Sequence, residues 1–227
     1  AGWLSSGIHG GQDARPTALY VWNSYWKNEL LRLGTNFAPE EIRIGGNPKG
    51  DTASRIAKPS LLPRVNAGRV GILIPFETEA PFGEVRAILA RLLATNRVKI
   101  FFKTRSDWDM QKQVGLYGLH GAATDQVELV SDCASRIGEI HAIAGIYSTF
   151  LYDALSFLRP VLVFKTSMDF GEGLIINDLA TPFDASEKAL VDRLLATCSA
   201  AASRCSERFE RYQKDAGSLY ETLQDLL

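Results

Sequence analysis

The stretch HAIAGIYSTFLYDALSFLRPVLVF, His141 to Phe164, decides the fold of this chain. It reads as a buried apolar strand, a tight turn at Ser148 and Thr149, a short helix and a second apolar strand. Hydroxyl residues at the carboxyl end of a strand, with a helix opening behind them, leave free backbone N–H groups and the positive end of the helix dipole where an anion binds. In an α/β sheet that edge is where ligands dock. Asp153 lies about one helical turn beyond Ser148 and Thr149 on the same face, placed to accept hydrogen bonds from a ribose while the turn holds phosphate. The same residues also support a plainer reading. Ser and Thr are ordinary helix N-caps, worth about 1 kcal/mol with no ligand involved, and Asp153 is then a solvated helix residue.

Working outward, apolar runs alternate with helical patterns. Residues 17–23 are strand-like, Ser24 to Leu33 forms a helix with Ser24 as its cap, and Ile42 to Ile44 is a short strand closed by Gly45-Gly46-Asn47-Pro48. Residues 49–68 are rich in Lys, Arg, Pro and Asn and read as a linker between two units. Beyond it, VGILIPF (70–76) is a continuous apolar run of the kind that parallel strands buried on both faces show. Residues 82–95 place Val85, Ile88, Leu89, Leu92 and Leu93 at helical spacing. VKIFF (98–102), a weak helix before Asp125, VELV (127–130), a brief helical link over 136–140, strand 141–146, helix 149–158, strand 160–164 and a sixth strand at GLIIN (173–177) follow. From Ser186 on the pattern is helical, with Leu190, Leu194, Leu195 and Cys198 on one face and Phe209, Tyr212, Leu219 and Leu223 in a second helix. This alternation predicts an α/β fold, a parallel sheet with helices on both faces.

Composition bounds the function. A chain of 227 residues, 46% hydrophobic, buries one sizeable core or two small ones. A net charge of −1 gives no field for capturing nucleic acid or an anionic membrane, so phosphate recognition must be local. Cys133, Cys198 and Cys205 lack metal spacing and are odd in number, which points to thiols used as small hydrophobes in a reducing compartment. No stretch is apolar enough to span a membrane, and no leader pattern is present. The expected location is the cytoplasm, with the inner face of the membrane as the alternative. The chain opens at Ala1 without a methionine, in what reads as strand and loop, and is expected to be a fragment.

The residues carry a family resemblance. His9-Gly10, then VWNSYWKNELLRLG, IRIGGNP ending at Pro48, ILIPFE, FFKTR, VELV and AGIYSTFLYDALSFLRPVLVF, in that order, are similar to the carboxyl-terminal half of GT-B glycosyltransferases. The likeness is nearest to bacterial surface-polysaccharide enzymes and to polyol-phosphate transferases, whose HG, GxPR and DYSS-like blocks run in this order. It covers most of residues 9–178. It implies a Rossmann-like donor domain over 69–180, a truncated acceptor-side portion over 1–48 and C-terminal helices over 181–227. Two complete domains at about 100–150 residues each would leave no room for linker and tail.

The resemblance also assigns roles. Tyr147, Ser148 and Thr149 would bind the phosphates of a nucleotide-sugar, and Asp153 would lie near the nucleotide or the transferred group. Lys103 and Arg105, directly after the second strand, match the place of a basic residue, where a cation offsets charge on the leaving diphosphate; the alternative is a solvated loop. His9 would be the base toward the acceptor hydroxyl, which a near-neutral pKa suits, although the second histidine of the polyol-phosphate transferases has no counterpart after Phe102. His120 and His141 read as structural. Asp107-Trp108-Asp109 resembles a metal-binding D-x-D triplet, but acidic residues before a helix also serve the dipole. GxGxxG and P-loop patterns are missing. The expected function is transfer of a sugar from a nucleotide-sugar to a glycan or lipid-linked acceptor, with no metal or other cofactor and with a partner chain supplying the acceptor half. A nucleotide-sugar 2-epimerase and a non-catalytic nucleotide-binding subunit are the alternatives.

Overall fold

The computed structural model describes residues 17–46, 69–168, 171–185 and 189–213. The chain divides into two compact units, Ala1–Ile56 with Phe209–Leu227, and Ala57–Arg208.

In the first unit, β1 (Leu19–Val21) and β2 (Ile42–Ile44) pair in parallel, Leu19 opposite Ile42 and Val21 opposite Ile44, with α1 (Ser24–Leu33) between them in sequence. Val21, Leu30, Phe37 and Ile42 form the small core. The cap of α1 is Asn23 rather than Ser24: its side chain accepts the Trp26 N–H at 3.2 Å. Asn23 wins because its amide has a second use, donating from Nδ2 to the Tyr212 carbonyl at 2.6 Å, while Trp26 Nε1 donates to the Tyr212 hydroxyl at 3.0 Å.

The second unit holds six strands, β3 (Val70–Pro75), β4 (Val98–Lys103), β5 (Val127–Val130), β6 (Ala142–Gly145), β7 (Val161–Phe164) and β8 (Thr181–Phe183). They lie in the order β5-β4-β3-β6-β7-β8 and every neighbouring pair is parallel. All six residues of β3 are buried, as both-face burial requires. On one face Val70, Ile72, Ile74, Ile100, Phe102, Ala144 and Leu162 pack with α2 (Phe82–Ala94), α3 (Met110–Leu116) and α6 (Leu190–Ala202), which contribute Val85, Leu89, Leu92, Val114, Leu194 and Cys198. On the other face the helical segment after β6 brings Leu151 against Gly145, and the turn into α5 (Glu172–Ile176) brings Gly171 against Val163. The last described helix is α7 (Cys205–Gln213).

Two segments differ from the sequence reading. Residues 173–177, expected as the sixth strand, are largely α5; Leu174 is buried and Ile176 is 57% exposed. A run as short as Leu-Ile-Ile has the same polarity in either conformation, and here Gly171 accepts the Leu174 and Ile175 N–H groups, closing a helical turn. The sixth place in the sheet goes to β8. The helix expected over 149–158 is one α-helical turn, α4 (Phe150–Asp153), continued as 3-10 helix through Phe157. The three cysteines are buried and free. Burial pushes the Cys198 thiol up to about 12 and the Cys133 and Cys205 thiols up to about 11, as expected for thiols that serve as small hydrophobes. Leu219 and Leu223 lie outside the described residues, and among those described no helix is long and apolar enough to cross a membrane.

His141 and Gly71 join β3 to β6 at their amino ends. The Gly71 N–H donates to His141 Nδ1 at 3.0 Å and the His141 N–H donates to the Gly71 carbonyl at 2.8 Å. A Cβ at Gly71 would stand 2.1 Å from the Glu139 carbonyl oxygen. Gly71→Ala therefore forces backbone apart and should destabilise the chain by about 1–3 kcal/mol or more, whereas Gly138→Ala, with nothing within 4 Å of its Cβ, should change little. Equilibrium urea unfolding of the two variants checks this contrast.

Candidate functional site

The strand order reverses between β3 and β6, because the chain builds the sheet outward in one direction from β3 and then restarts beside it with β6. The loops leaving the carboxyl ends of these two strands diverge, and the crevice between them is the ligand-binding position of open α/β sheets.

Glu77, two residues beyond β3, occupies that position. It is 3% exposed, and its Oε1 accepts the backbone N–H groups of Ile146 at 3.1 Å, Tyr147 at 3.0 Å and Ser148 at 2.7 Å, with Oε2 also 3.0 Å from the Ile146 nitrogen. Burial pushes its carboxyl above the ordinary glutamate range, and the three N–H groups pull the other way without cancelling that effect. Gly145 leaves room for this arrangement: a Cβ there would be 2.9 Å from Glu77 Oε1 and 3.3 Å from Leu151. The hold is reciprocal. The Tyr147 hydroxyl accepts the Glu79 N–H at 2.7 Å, and the Tyr117 hydroxyl accepts the Glu77 N–H at 2.9 Å while donating to the Pro75 carbonyl. Burial raises both phenols, Tyr117 more than Tyr147.

The free backbone N–H groups expected at the hydroxyl turn are thus not free at Ile146, Tyr147 and Ser148; the chain's own carboxylate occupies them. Ser148 keeps the plainer role as well, its Oγ accepting the Phe150 N–H at 3.2 Å. Thr149, exposed at the start of α4, makes no side-chain cap hydrogen bond. Lys103 ends β4, and its Nζ stands 5.1 Å from the centre of the Phe150 ring, beside the segment that follows Thr149. Lys103, Tyr147, Ser148 and Thr149 therefore share the carboxyl edge of the sheet. Asp153 follows one turn further along α4, half-buried, its N–H donating to the Thr149 carbonyl. His9 lies outside the described residues.

Arg105 differs from the expectation of an open cation. Its guanidinium makes two hydrogen bonds to the Asp107 carboxylate, at 2.9 and 2.6 Å, which raises the arginine and lowers the aspartate. Buried Gln113 fixes this loop, accepting the Arg105 N–H at 2.8 Å and donating to the Arg105 and Trp108 carbonyls. Asp109 caps α3 by accepting the Lys112 N–H at 2.7 Å. The two acidic residues of the D-x-D triplet are thus engaged separately, and among the described residues no group of three or more His, Cys, Asp or Glu side chains is placed to hold a metal ion. Glu84, in the first turn of α2, accepts the Ser167 N–H at 2.9 Å and the Ser167 hydroxyl, tying in the loop after β7. Glu77 is the residue that sequence reasoning missed. Its signal was a carboxylate directly after an apolar strand, VGILIPF, but Glu79 two residues later carries the same signal and is exposed, so the sequence did not single Glu77 out.

No protein-family model matches the sequence, and no curated protein matches it. Solved structures do share the fold. A variant of the wall teichoic acid polymerase TagF, soaked with CDPG, matches with a TM-score of 0.53 at 17% identity, over 93% of this chain and 55% of that one. A glycosyltransferase from Rickettsia africae matches with 0.55 at 11%, over 92% and 62%. MnaA of S. aureus, solved with UDP, matches with 0.51 at 13%, over 93% and 60%. The chain thus spans less than two thirds of each of these proteins. At such identities the likeness is one of fold, and in fold the chain is of the GT-B type, like the carboxyl-terminal domain of such enzymes.

The raised Glu77 carboxyl has a sign. A carboxyl held above its unfolded value binds its proton more tightly in the folded chain, so its contribution to stability is full at low pH and is lost as pH rises from the ordinary glutamate value of 4.5 through the raised one. Glu77→Gln removes this titration. Urea unfolding at a series of pH values from about 4 to 8 should show wild type losing stability relative to Glu77→Gln as pH rises; a constant difference across the series would contradict the raised carboxyl.

Proposed function

We propose that the chain is the donor-binding part of a glycosyltransferase that moves a sugar from a nucleotide-sugar to a surface-glycan acceptor. The observation that carries the reading is the pre-ordered turn at the β3/β6 crevice, with the Ser148 and Thr149 hydroxyls and the Lys103 ammonium on one sheet edge. In such a transfer the bond from the sugar's anomeric carbon to the diphosphate oxygen breaks, and a bond to the acceptor oxygen forms. Negative charge gathers on the leaving diphosphate, where hydroxyl donors and a cation lower the barrier. Arg105, already paired with Asp107, contributes less than Lys103. The proton of the acceptor hydroxyl goes to a base, the role assigned to His9, and the nucleotide-sugar is the only small molecule the reaction requires. Tyr147 supports the turn through its bond to Glu79, and Asp153 is the candidate for the ribose hydroxyls.

A 2-epimerase of the same fold would need a carboxylate that exchanges protons with the sugar. Glu77, bound by three N–H groups and almost wholly buried, is poorly suited to that role, which favours transfer. The acceptor, the partner chain that completes the site and a position at the inner face of the membrane belong to the same proposal.

A thermal-shift panel of UDP, GDP, CMP and CDP should single out one base. Changing Ser148 and Thr149 together to alanine should weaken binding of that nucleoside diphosphate by about 1–3 kcal/mol with helix content unchanged; equal affinity by calorimetry would leave Ser148 a local cap and Thr149 without a part in binding. His9→Ala should lower the transfer rate by about 10²–10⁴-fold and leave donor affinity intact. Absence of turnover with every nucleotide-sugar, despite nucleotide binding, would favour the non-catalytic subunit.

A further inference from the structure

Three successive backbone N–H groups, Ile146, Tyr147 and Ser148, converge on one oxygen at 2.7–3.1 Å. A concavity of this kind binds anions, and here the anion is Glu77. The carboxylate is buried and its backbone is fixed from two sides, by the Tyr117 hydroxyl at the Glu77 N–H and the Tyr147 hydroxyl at the Glu79 N–H. A Cβ at Gly145 would stand 2.9 Å from Glu77 Oε1, so that side of the carboxylate has no room for an added atom. A phosphate oxygen seeking the same N–H groups would also meet a like charge at contact distance.

We propose that Glu77 is the positioning residue of the donor site: an internal anion that orders the 146–149 turn and fills its N–H groups, so that the donor diphosphate is held by the Ser148 and Thr149 hydroxyls and by Lys103 instead. The identity of the ligand rests on the nucleotide-sugar reading; the ordering of the turn does not. The Ser148 N–H, at 2.7 Å, is the shortest of the three bonds, and through it the carboxylate sets the residue whose Oγ then takes the Phe150 N–H and starts α4. Phe150 in turn lies under Lys103. One carboxylate thus governs the placement of both hydroxyls and of the ring beside the cation.

The test uses the full chain and the variants Glu77→Ala and Glu77→Gln, titrated calorimetrically with UDP, GDP and CDP, with and without sodium formate, and melted under the same conditions. In Glu77→Ala, nucleoside diphosphate binding should weaken by about tenfold or more, the loss of at least one hydrogen bond to a charged group. Formate, a carboxylate small enough for the emptied concavity, should raise the melting temperature of Glu77→Ala and recover affinity, and should do neither for wild type. Glu77→Gln should be intermediate, since one amide oxygen can still accept the three N–H groups. Tighter diphosphate binding by Glu77→Ala than by wild type would make Glu77 a competitor of the ligand and overturn the proposal. So would a melting temperature indifferent to formate. If wild type binds no nucleoside diphosphate, the nucleotide-sugar reading falls, while the formate response of Glu77→Ala still decides the ordering of the turn. Should Glu77→Ala fail to fold, amide hydrogen exchange in Glu77→Gln is decisive: selectively faster exchange at Ile146, Tyr147 and Ser148 is expected, and rates equal to wild type would refute the assignment.

Discussion

The crevice of the second unit depends on one buried carboxylate meeting a row of backbone N–H groups. Glu77 and Ser148 are 71 positions apart in sequence and 2.7 Å apart in space. Removing a carboxylate from water costs several kcal/mol, which only multiple, well-aligned donors offset. Three donors on one turn offset part of that cost, and the carboxylate in turn ties the three residues to the loop after β3. The carboxylate takes the three N–H groups, Ile146 is buried and the Ser148 Oγ accepts the Phe150 N–H, so Thr149 is the exposed residue of the turn.

The rest of the edge follows from that constraint. Gly145 has no side chain because the carboxylate and Leu151 occupy the space. Tyr147 and Tyr117 return the hold from the opposite direction, each phenol accepting an N–H from the loop after β3. Phe76, Phe102 and Tyr117 pack as a ring cluster behind it, Phe102 and Tyr117 with centroids 4.9 Å apart. The crevice is therefore tied by hydrogen bonds and ring contacts on the β3, β4 and β6 side. The loop after β7 joins through Glu84 and Ser167.

Legibility in the sequence varied with how local the cause was. The runs 70–76 and 98–102 announced strands because they are short, rich in β-branched and aromatic residues, and separated by a helical pattern. The helix over 82–94 followed from its 3.6-residue period. The turn at Ser148 and Thr149 was legible as the link between a strand and a helix at the carboxyl edge of the sheet, since the three are adjacent in sequence. Residues 173–177 were misread because their conformation is decided by Gly171 packing against Ile146 and Val163, contacts that no local pattern encodes. Asn23 displaced Ser24 as the cap for a similar reason: Tyr212, nearly two hundred residues away, also uses its amide. Arg105 was legible as a cation after a strand, but its pairing with Asp107 depends on the loop shape that buried Gln113 enforces.

By itself, the sequence determined most of the elements as far as Phe164, the parallel α/β class and the edge of the sheet at which a ligand would be sought, because hydrophobic period and turn chemistry act over a few residues. Only the tertiary structure decided the strand order that opens the crevice between β3 and β6, and which group fills the concavity at its centre. Those depend on pairing between segments about seventy residues apart, where a carboxylate seeks whichever donors the fold brings within 3 Å, and no spacing along the chain records that choice.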